Sequence, residues 1–185
     1  MPSFSKIGGV ILAGGASSRM GEDKALIDWN GQRAIDRLAD LLARVGVMPF
    51  LVSGGDYGLP FAPDPYPQAG PVAGLKAALP ALAAAGCDGA LVLAVDTPTV
   101  RAADLAPLLA APAPGATYEG LPLPMLAPAD APLDLPDDAR LRTFIAGAGL
   151  AALPYPPGAR TRLLGANTPN ERAALLAEDR AAGAE

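Results

Sequence analysis

The run of six apolar residues at 90–95, Ala-Leu-Val-Leu-Ala-Val, constrains the fold more than any other feature of this 185-residue chain. A strand that is apolar on both faces must be buried on both, which is typical of a parallel sheet covered by helices on each side. Such strands alternate with amphipathic helices through the first half of the chain. The predicted strands are 8–13, 49–53 and 90–95, and the predicted helices are 34–45, 72–85 and 102–110. This order predicts a three-layer α/β/α fold whose sheet is mostly parallel and Rossmann-like.

The second half of the chain has a weaker pattern and is rich in alanine and proline. Strands are predicted there at 117–119, 123–127, 150–153 and 162–166, and a helix at 139–148. A last helix begins at Pro169, with Thr168 as its N-cap and Glu171 three residues after the cap. The chain length and the 51% hydrophobic content suffice for one sizeable core, so we expect residues 1–185 to form a single domain.

Composition excludes several classes of function. The net charge of −5 argues against a surface that binds nucleic acid or an anionic membrane. No apolar run reaches the roughly 20 residues that cross a bilayer. The chain has no histidine, which excludes histidine triads and histidine metal sites, and Cys87 is its single cysteine. We therefore expect a cytoplasmic protein whose chemistry uses carboxylates, Lys, Arg and a metal ion.

A glycine-rich turn follows the first predicted strand and is itself followed by two cations. Gly14 and Gly15 give the backbone the φ freedom that lets N–H groups converge on an anion, and Arg19 and Lys24 add positive charge. The spacing fits neither a Walker loop nor the G-x-G-x-x-G fingerprint. This turn therefore predicts a phosphate site of another class. The alternative for the glycine pair alone is a tight strand-to-helix turn with solvated cations.

Asp96 directly follows the apolar strand, in the segment Ala-Val-Asp-Thr-Pro at 94–98. Ligands of open α/β sheets bind beyond the carboxyl ends of the strands, where the Gly14 turn, Ser53 and Asp96 all fall. A carboxylate opposite a phosphate loop suits Mg²⁺, which prefers one or two carboxylates together with phosphate oxygens. An isolated Asp in this position is more often an N-cap or Asx-turn residue, but its combination with the first loop favours a metal site.

The stretch 12–24 resembles the L-A-G-G-x-S-x-R-M-G-x-D-K signature of nucleotidyltransferases, most closely that of the molybdenum cofactor guanylyltransferases of the MobA type. The resemblance implies a nucleotide-diphospho-sugar transferase-like fold and transfer of GMP from GTP to molybdopterin or Mo-molybdopterin, with Mg²⁺ as cofactor. It also implies transient contact with molybdenum-insertion or molybdoenzyme maturation proteins. Arg19, Lys24 and Asp96 are implied as catalytic, and Asp96 as the metal ligand. The positions implied to bind the nucleotide at this loop are Leu12, Ala13, Gly14, Gly15 and Lys24.

A second segment is similar to the same family. Gly-Pro-x-Ala-Gly-Leu at 70–75 matches its second fingerprint, which implies that the preceding Asp64 contacts the nucleotide. Ser53 takes the place where members of the family often have an Asn that faces the base. The alternatives are a surface turn with a solvated Asp64 and a strand-end turn residue at Ser53.

The acceptor side departs from the family pattern. Gly-Ala-Asn-Thr-Pro at 165–169 resembles Asn-x-Asn-Thr-Pro, so that Asn167 is kept while Gly165 replaces the first Asn. In another segment, Leu121 and Leu123 stand where relatives carry polar residues. We therefore expect residues 1–100 to bind the nucleotide and 101–185 the acceptor, with Asn167 on the acceptor side and fewer polar contacts to it.

Two alternatives remain open from the residues alone. One is another nucleotidyltransferase, either a CTP-dependent molybdopterin cytidylyltransferase or a sugar-phosphate nucleotidyltransferase. Relatives that use CTP tend to show Ala-Ala-Gly and Asn-Lys where this chain has Ala-Gly-Gly and Asp-Lys, which favours GTP. The other alternative is a degenerate nucleotide-binding protein without catalysis. Among the remaining side chains, Trp29 is predicted to pack beside a turn, and Arg37 and Lys76 to lie on solvated helix faces.

Overall fold

A computed structural model of the chain describes residues 3–14, 23–66, 69–166 and 168–182. The described residues form seven strands, which are β1 (Ile7–Leu12), β2 (Phe50–Ser53), β3 (Phe61–Ala62), β4 (Gly89–Ala94), β5 (Ala116–Tyr118), β6 (Met125–Pro128) and β7 (Ala151–Leu153). They also form six helices, which are α1 (Ala34–Arg44), α2 (Pro71–Ala84), α3 (Ala102–Leu109), α4 (Leu141–Gly147), α5 (Arg160–Leu164) and α6 (Pro169–Ala182), and a 3₁₀ turn at Lys24–Leu26.

The strands make one sheet in the order β3-β2-β1-β4-β6-β5-β7. The described pairings are parallel except the two that β6 makes with β4 and β5. The prediction of a mostly parallel sheet is confirmed. β6 begins at Met125 rather than at 123, and the residue before it, Pro124, has no N–H to donate to a neighbouring strand.

Alternation along the apolar strand β4 produces the three layers. Leu91 and Leu93 pack into a cluster with residues of α1 and α3 on one face of the sheet. Ala90 and Val92 pack with residues of α2 and α4 on the other face. All four side chains are fully buried. The predicted arrangement of helices on both faces is therefore confirmed. No helix in the described part of the chain combines the length and the hydropathy needed to cross a membrane.

The prediction of a strand at 162–166 is wrong, because this segment lies mostly in helix α5. Arg162 forms a two-pronged ion pair with Asp104 of α3, at 2.8 Å from Nε and 2.7 Å from Nη2, and Leu163 is buried in the core. In a strand these adjacent side chains would point to opposite faces, whereas in a helix they lie only about 100° apart and can both face the rest of the molecule. Tertiary contacts therefore decide the conformation of this segment.

The start of α6 is confirmed as a capping box. The Thr168 N–H donates to Glu171 at 2.9 Å, and the Glu171 N–H donates to the Thr168 hydroxyl at 3.3 Å. α6 then packs against the N-terminal half of the chain, where Arg37 forms an ion pair with Asp179 at 3.0 Å. The expectation of a solvated Arg37 is wrong for this reason.

Lys76 is also engaged rather than solvated, because its ammonium lies 2.7 Å from a carboxylate oxygen of Asp137. This ion pair ties α2 to the segment that leads into α4. Trp29 is buried beside the 3₁₀ turn, as predicted.

Candidate active site

A cavity of about 300 Å³ opens at the carboxyl ends of β1 and β4. Its walls combine the first loop, the segment after β4, the start of α2 and the second half of the chain. The lining residues are Leu12, Ala13, Gly14, Lys24, Pro71, Ala94, Val95, Asp96, Leu123 and Leu141. The structure thus brings Lys24 and Asp96 together, although 72 positions separate them in the sequence. Parallel strands deliver both segments to one edge of the sheet, as the sequence predicts.

The 3₁₀ turn that carries Lys24 is held by the preceding carboxylate. One oxygen of Asp23 accepts a hydrogen bond from the Ala25 N–H at 3.0 Å, and the other accepts one from the Tyr57 hydroxyl at 2.9 Å. Burial, followed by the hydrogen bond to Asp23, raises the pKa of Tyr57 to about 12, so the phenol stays a donor at neutral pH. Tyr57 is a site residue that sequence reasoning missed, because no motif links it to a residue 34 positions earlier.

Asp96 lies in the wall of the cavity with most of its surface removed from water. Burial raises the pKa of its carboxyl above the usual value, while the nearby Lys24 ammonium and a hydrogen bond from its own backbone act in the opposite direction. A buried carboxylate of this kind gains from any cation that approaches it. Its ionised form is therefore poised to bind one.

The backbone of Asp96 is fixed by the segment that follows α5. The Ala166 N–H donates to the Asp96 carbonyl at 3.0 Å. Gly165 has φ +70° and ψ −172°, and a Cβ atom at that position would collide with the same carbonyl oxygen. Because Gly165 has no side chain, this segment can approach the Asp96 backbone closely. The sequence analysis did not assign this role to Gly165.

Ser53 and Asp64 form a hydrogen-bonded pair beside the first loop. Ser53 is 2% exposed, and its hydroxyl donates to Asp64 at 2.6 Å. The other oxygen of Asp64 faces Gly14, where a Cβ atom would lie only 3.2 Å from it. The Ala13 N–H also donates to the Ser53 carbonyl at 2.7 Å. Ser53 is therefore placed to orient Asp64 against the first loop, with its own hydroxyl already engaged.

Of the two leucines that replace polar residues, the structure places only Leu123 in the wall of the cavity, which Leu141 also lines. Leu121 packs against the core on the face of α1 and α3, and its carbonyl accepts a hydrogen bond from Thr117 at 2.6 Å. The replacement at 121 thus contributes to folding, while the replacement at 123 makes the cavity wall more apolar.

Three sequence-predicted site residues lie outside the described residues. They are Gly15, Arg19 and Asn167. In the sequence, Gly15 follows Gly14 of the cavity wall and Asn167 follows Ala166.

The donor set at Asp96 fits the Mg²⁺ ion that the family resemblance implies. Asp96 supplies one carboxylate, largely removed from water, in the same cavity wall as the first loop. Among the described residues, no group of three His, Cys, Asp or Glu side chains is placed to hold a metal ion. Mg²⁺ does not require such a cage, because it usually takes one or two carboxylates and completes its shell with water and substrate phosphates.

Residues 9–143 match the family model described as MobA-like NTP transferase domain. A molybdenum cofactor guanylyltransferase of Xanthomonas euvesicatoria pv. vesicatoria (strain 85-10) is 40% identical over 102 residues, which cover 55% of this chain and 53% of that protein. A protein of the same name from Acidiphilium cryptum (strain JF-5) is 36% identical over 169 residues, which cover 83% of this chain and 86% of that protein. The match with the Xanthomonas protein thus spans about half the length of that relative.

The fold has a counterpart in the crystal structure of molybdopterin-guanine dinucleotide biosynthesis protein A from Archaeoglobus fulgidus. The TM-score is 0.65 at 18% identity, and the match covers 92% of this chain and 97% of that one. At this level of identity the likeness shows the fold alone. Because the family model matches more than half of the chain and the Acidiphilium relative aligns along most of it, this chain belongs to the MobA-like NTP transferase family.

Proposed function

We propose that this protein transfers GMP from GTP to molybdopterin or Mo-molybdopterin and releases pyrophosphate. A single observation carries the proposal: Lys24 and Asp96, from separate segments, line one cavity at the carboxyl edge of the sheet. The relatives from Xanthomonas and Acidiphilium are named molybdenum cofactor guanylyltransferases, which supports the choice of donor and acceptor.

The proposed reaction needs little from the protein beyond alignment and charge. An oxygen of the acceptor phosphate attacks the α-phosphorus of GTP, the bond from the α-phosphorus to the bridging oxygen breaks, and pyrophosphate leaves with the electron pair. Because the acceptor phosphate is already an anion, no proton has to be removed from it. The absence of histidine from the chain is compatible with this chemistry. The rate then depends on the alignment of the two phosphates and on neutralisation of their charge.

Lys24 and Asp96 have distinct proposed roles. The Lys24 ammonium binds phosphate oxygens, and its 3₁₀ turn is held by Asp23 and Tyr57. Asp96 holds Mg²⁺, which when bound would neutralise phosphate charge as a Lewis acid. Arg19, in the first loop, is proposed to bind the departing pyrophosphate together with Lys24.

The first loop and its neighbours are proposed to bind the nucleotide. The backbone of Leu12, Ala13, Gly14 and Gly15 approaches the phosphates, and Asp64, oriented by the buried Ser53, contacts the nucleoside. Asn167 is proposed to bind the acceptor. We also infer a cytoplasmic location, which the single free cysteine, Cys87, supports because thiols persist in reducing compartments.

The test is incubation of the purified protein with molybdopterin, Mg²⁺ and each of GTP, CTP and ATP, followed by separation of the dinucleotide products. We expect a guanine dinucleotide and pyrophosphate. Asp96→Asn should lower the rate by about 100-fold or more, while Asp130→Asn, at an exposed carboxylate, should not. A cytosine dinucleotide as the main product, or full activity of Asp96→Asn, would contradict the proposal.

A further inference from the structure

A second and smaller cavity lies on the other side of Lys24 and Asp96. Its volume is about 10 Å³, close to the space that one water-sized atom needs. Lys24, Val95 and Asp96 belong to the walls of both cavities, so the small one adjoins the proposed site of reaction. The remaining lining residues are Ile27, Trp29, Ala166 and Arg172.

Arg172, in the first turn of α6, lines this cavity and carries an unsatisfied donor. Its Nε atom is buried and has no hydrogen-bond partner, a state that it shares with only one other buried side-chain atom of the described residues, Thr99 Oγ1. Its Nη2 donates to the Asp28 carbonyl at 2.7 Å, and its guanidinium lies 5.8 Å from the centroid of the Trp29 ring. A buried N–H of a cation without an acceptor is costly, and such atoms are rare in folded proteins.

The charges around the cavity favour an anion. Lys24, Arg172 and Asp96 are the charged residues of this wall, and the rest of the wall is apolar apart from the indole of Trp29. The net charge of these groups is positive when Asp96 is ionised. A guanidinium is suited to phosphate oxygens because it is planar, always charged and carries several N–H donors.

We infer that the Nε–H of Arg172 binds one oxygen of a substrate phosphate group that reacts beside Asp96. This inference rests on the proposed function for the identity of that phosphate, which belongs either to the acceptor or to GTP. It makes Arg172, which no motif of the sequence marks, a substrate-binding residue contributed by the last helix.

A purely structural role for the Arg172 guanidinium does not explain why its Nε is buried without a hydrogen-bond partner. α6 is already attached to the N-terminal half by the ion pair of Arg37 with Asp179 at 3.0 Å and by the hydrogen bond of Arg180 to Asn30 at 2.9 Å. Loss of the Arg172 head group should therefore leave α6 in place.

Trp29 provides a direct probe, since it is the only tryptophan of the chain and lies under the Arg172 guanidinium. Titration with inorganic pyrophosphate in the presence of Mg²⁺ should give a saturable change of tryptophan emission. Arg172→Met and Arg172→Lys should weaken the apparent affinity about tenfold or more, because both remove the Nε–H fork. Arg160→Met, a change at an exposed arginine of α5, should behave as the wild type. An absent signal in the wild type, or equal affinity in all four proteins, would overturn the inference.

Steady-state kinetics then identify the phosphate. A raised KM for molybdopterin in Arg172→Lys assigns the oxygen to the acceptor, and a raised KM for GTP assigns it to the nucleotide. Unchanged KM values for both substrates would overturn the inference. If the wild type binds pyrophosphate through Arg172 but forms no guanine dinucleotide, the proposed function fails while the anion site stands.

Discussion

Gly165→Ala should displace the Asp96 backbone, because Gly165 packs directly against it. The residue adopts φ +70° and ψ −172°, a region that is essentially restricted to glycine. An added Cβ would collide with the Asp96 carbonyl oxygen and would lie 3.0 Å from Cγ2 of Thr97. Since backbone cannot rotate away as a flexible side chain does, the Asp96 turn must move.

The chain offers a matched control at Gly158. This residue has φ +72°, and a Cβ atom there would meet nothing within 4 Å. Gly158→Ala should therefore cost only the backbone strain of about 1–2 kcal/mol. Gly165→Ala adds an overpacking cost of about 1–3 kcal/mol to a backbone strain of similar size, so we expect a loss of about 2–5 kcal/mol.

Thermal unfolding and guanylyl transfer measure the two consequences. At about 2–4 °C per kcal/mol for a chain of this size, Gly158→Ala should lower Tm by about 2–8 °C and Gly165→Ala by about 4–20 °C. Displacement of the Asp96 carboxylate should also lower kcat of Gly165→Ala by about 10–100-fold, while Gly158→Ala keeps the wild-type kcat. Equal losses of Tm together with equal kcat values in the two variants would refute the reasoning.

Three further predictions follow from the contacts of the site and the core. Because burial raises the pKa of Asp96, ionising it destabilises the fold, and wild-type stability falls as pH rises through the interval above 3.8. At pH 7 without divalent cations, Asp96→Asn should therefore unfold at a higher urea concentration than the wild type, and this difference should vanish in acid. A difference that is equal at every pH would contradict a destabilising ionisation of Asp96. Asp104→Ala should lower the free energy of unfolding by about 3–5 kcal/mol, because it leaves the Arg162 guanidinium without its buried partner. The double variant Asp104→Leu with Arg162→Leu should recover much of the lost free energy of unfolding, as measured by urea titration. A double variant no more stable than Asp104→Ala would count against the explanation. Tyr57→Phe removes the 2.9 Å hydrogen bond to Asp23, which is worth about 0.5–1.5 kcal/mol, so it should lower Tm by about 1–6 °C and raise KM for GTP about 2–10-fold. An unaltered KM would mean that the bond does not position the turn.

Much of the fold could be predicted because its determinants are local. The apolar run at 90–95 identified the buried strand β4 within one residue at each end, since such a run is excluded from solvent on both faces. The capping box at Thr168 located the start of α6, because its two hydrogen bonds join residues three apart. The cleft was also predictable, since parallel strands bring every loop at their carboxyl ends to the same edge.

Long-range pairs were not predictable in this way. The strand predicted at 162–166 is helical because Arg162 pairs with Asp104, 58 positions earlier. No local pattern encodes that partner. The role of Gly165 was not predictable either, because it depends on the Asp96 carbonyl against which this residue packs.

The sequence by itself therefore determined the layered α/β architecture, the family and the segments that build the cleft, because periodicity, caps and glycine-rich motifs act over a few neighbouring residues. Only the tertiary structure decided how the side chains of those segments are supported. Tyr57 holds the turn of Lys24, Ser53 holds Asp64, and α6 brings Arg172 to the cavity beside Asp96. Each of these contacts joins separate elements, and its geometry depends on how the helices and loops pack around the sheet.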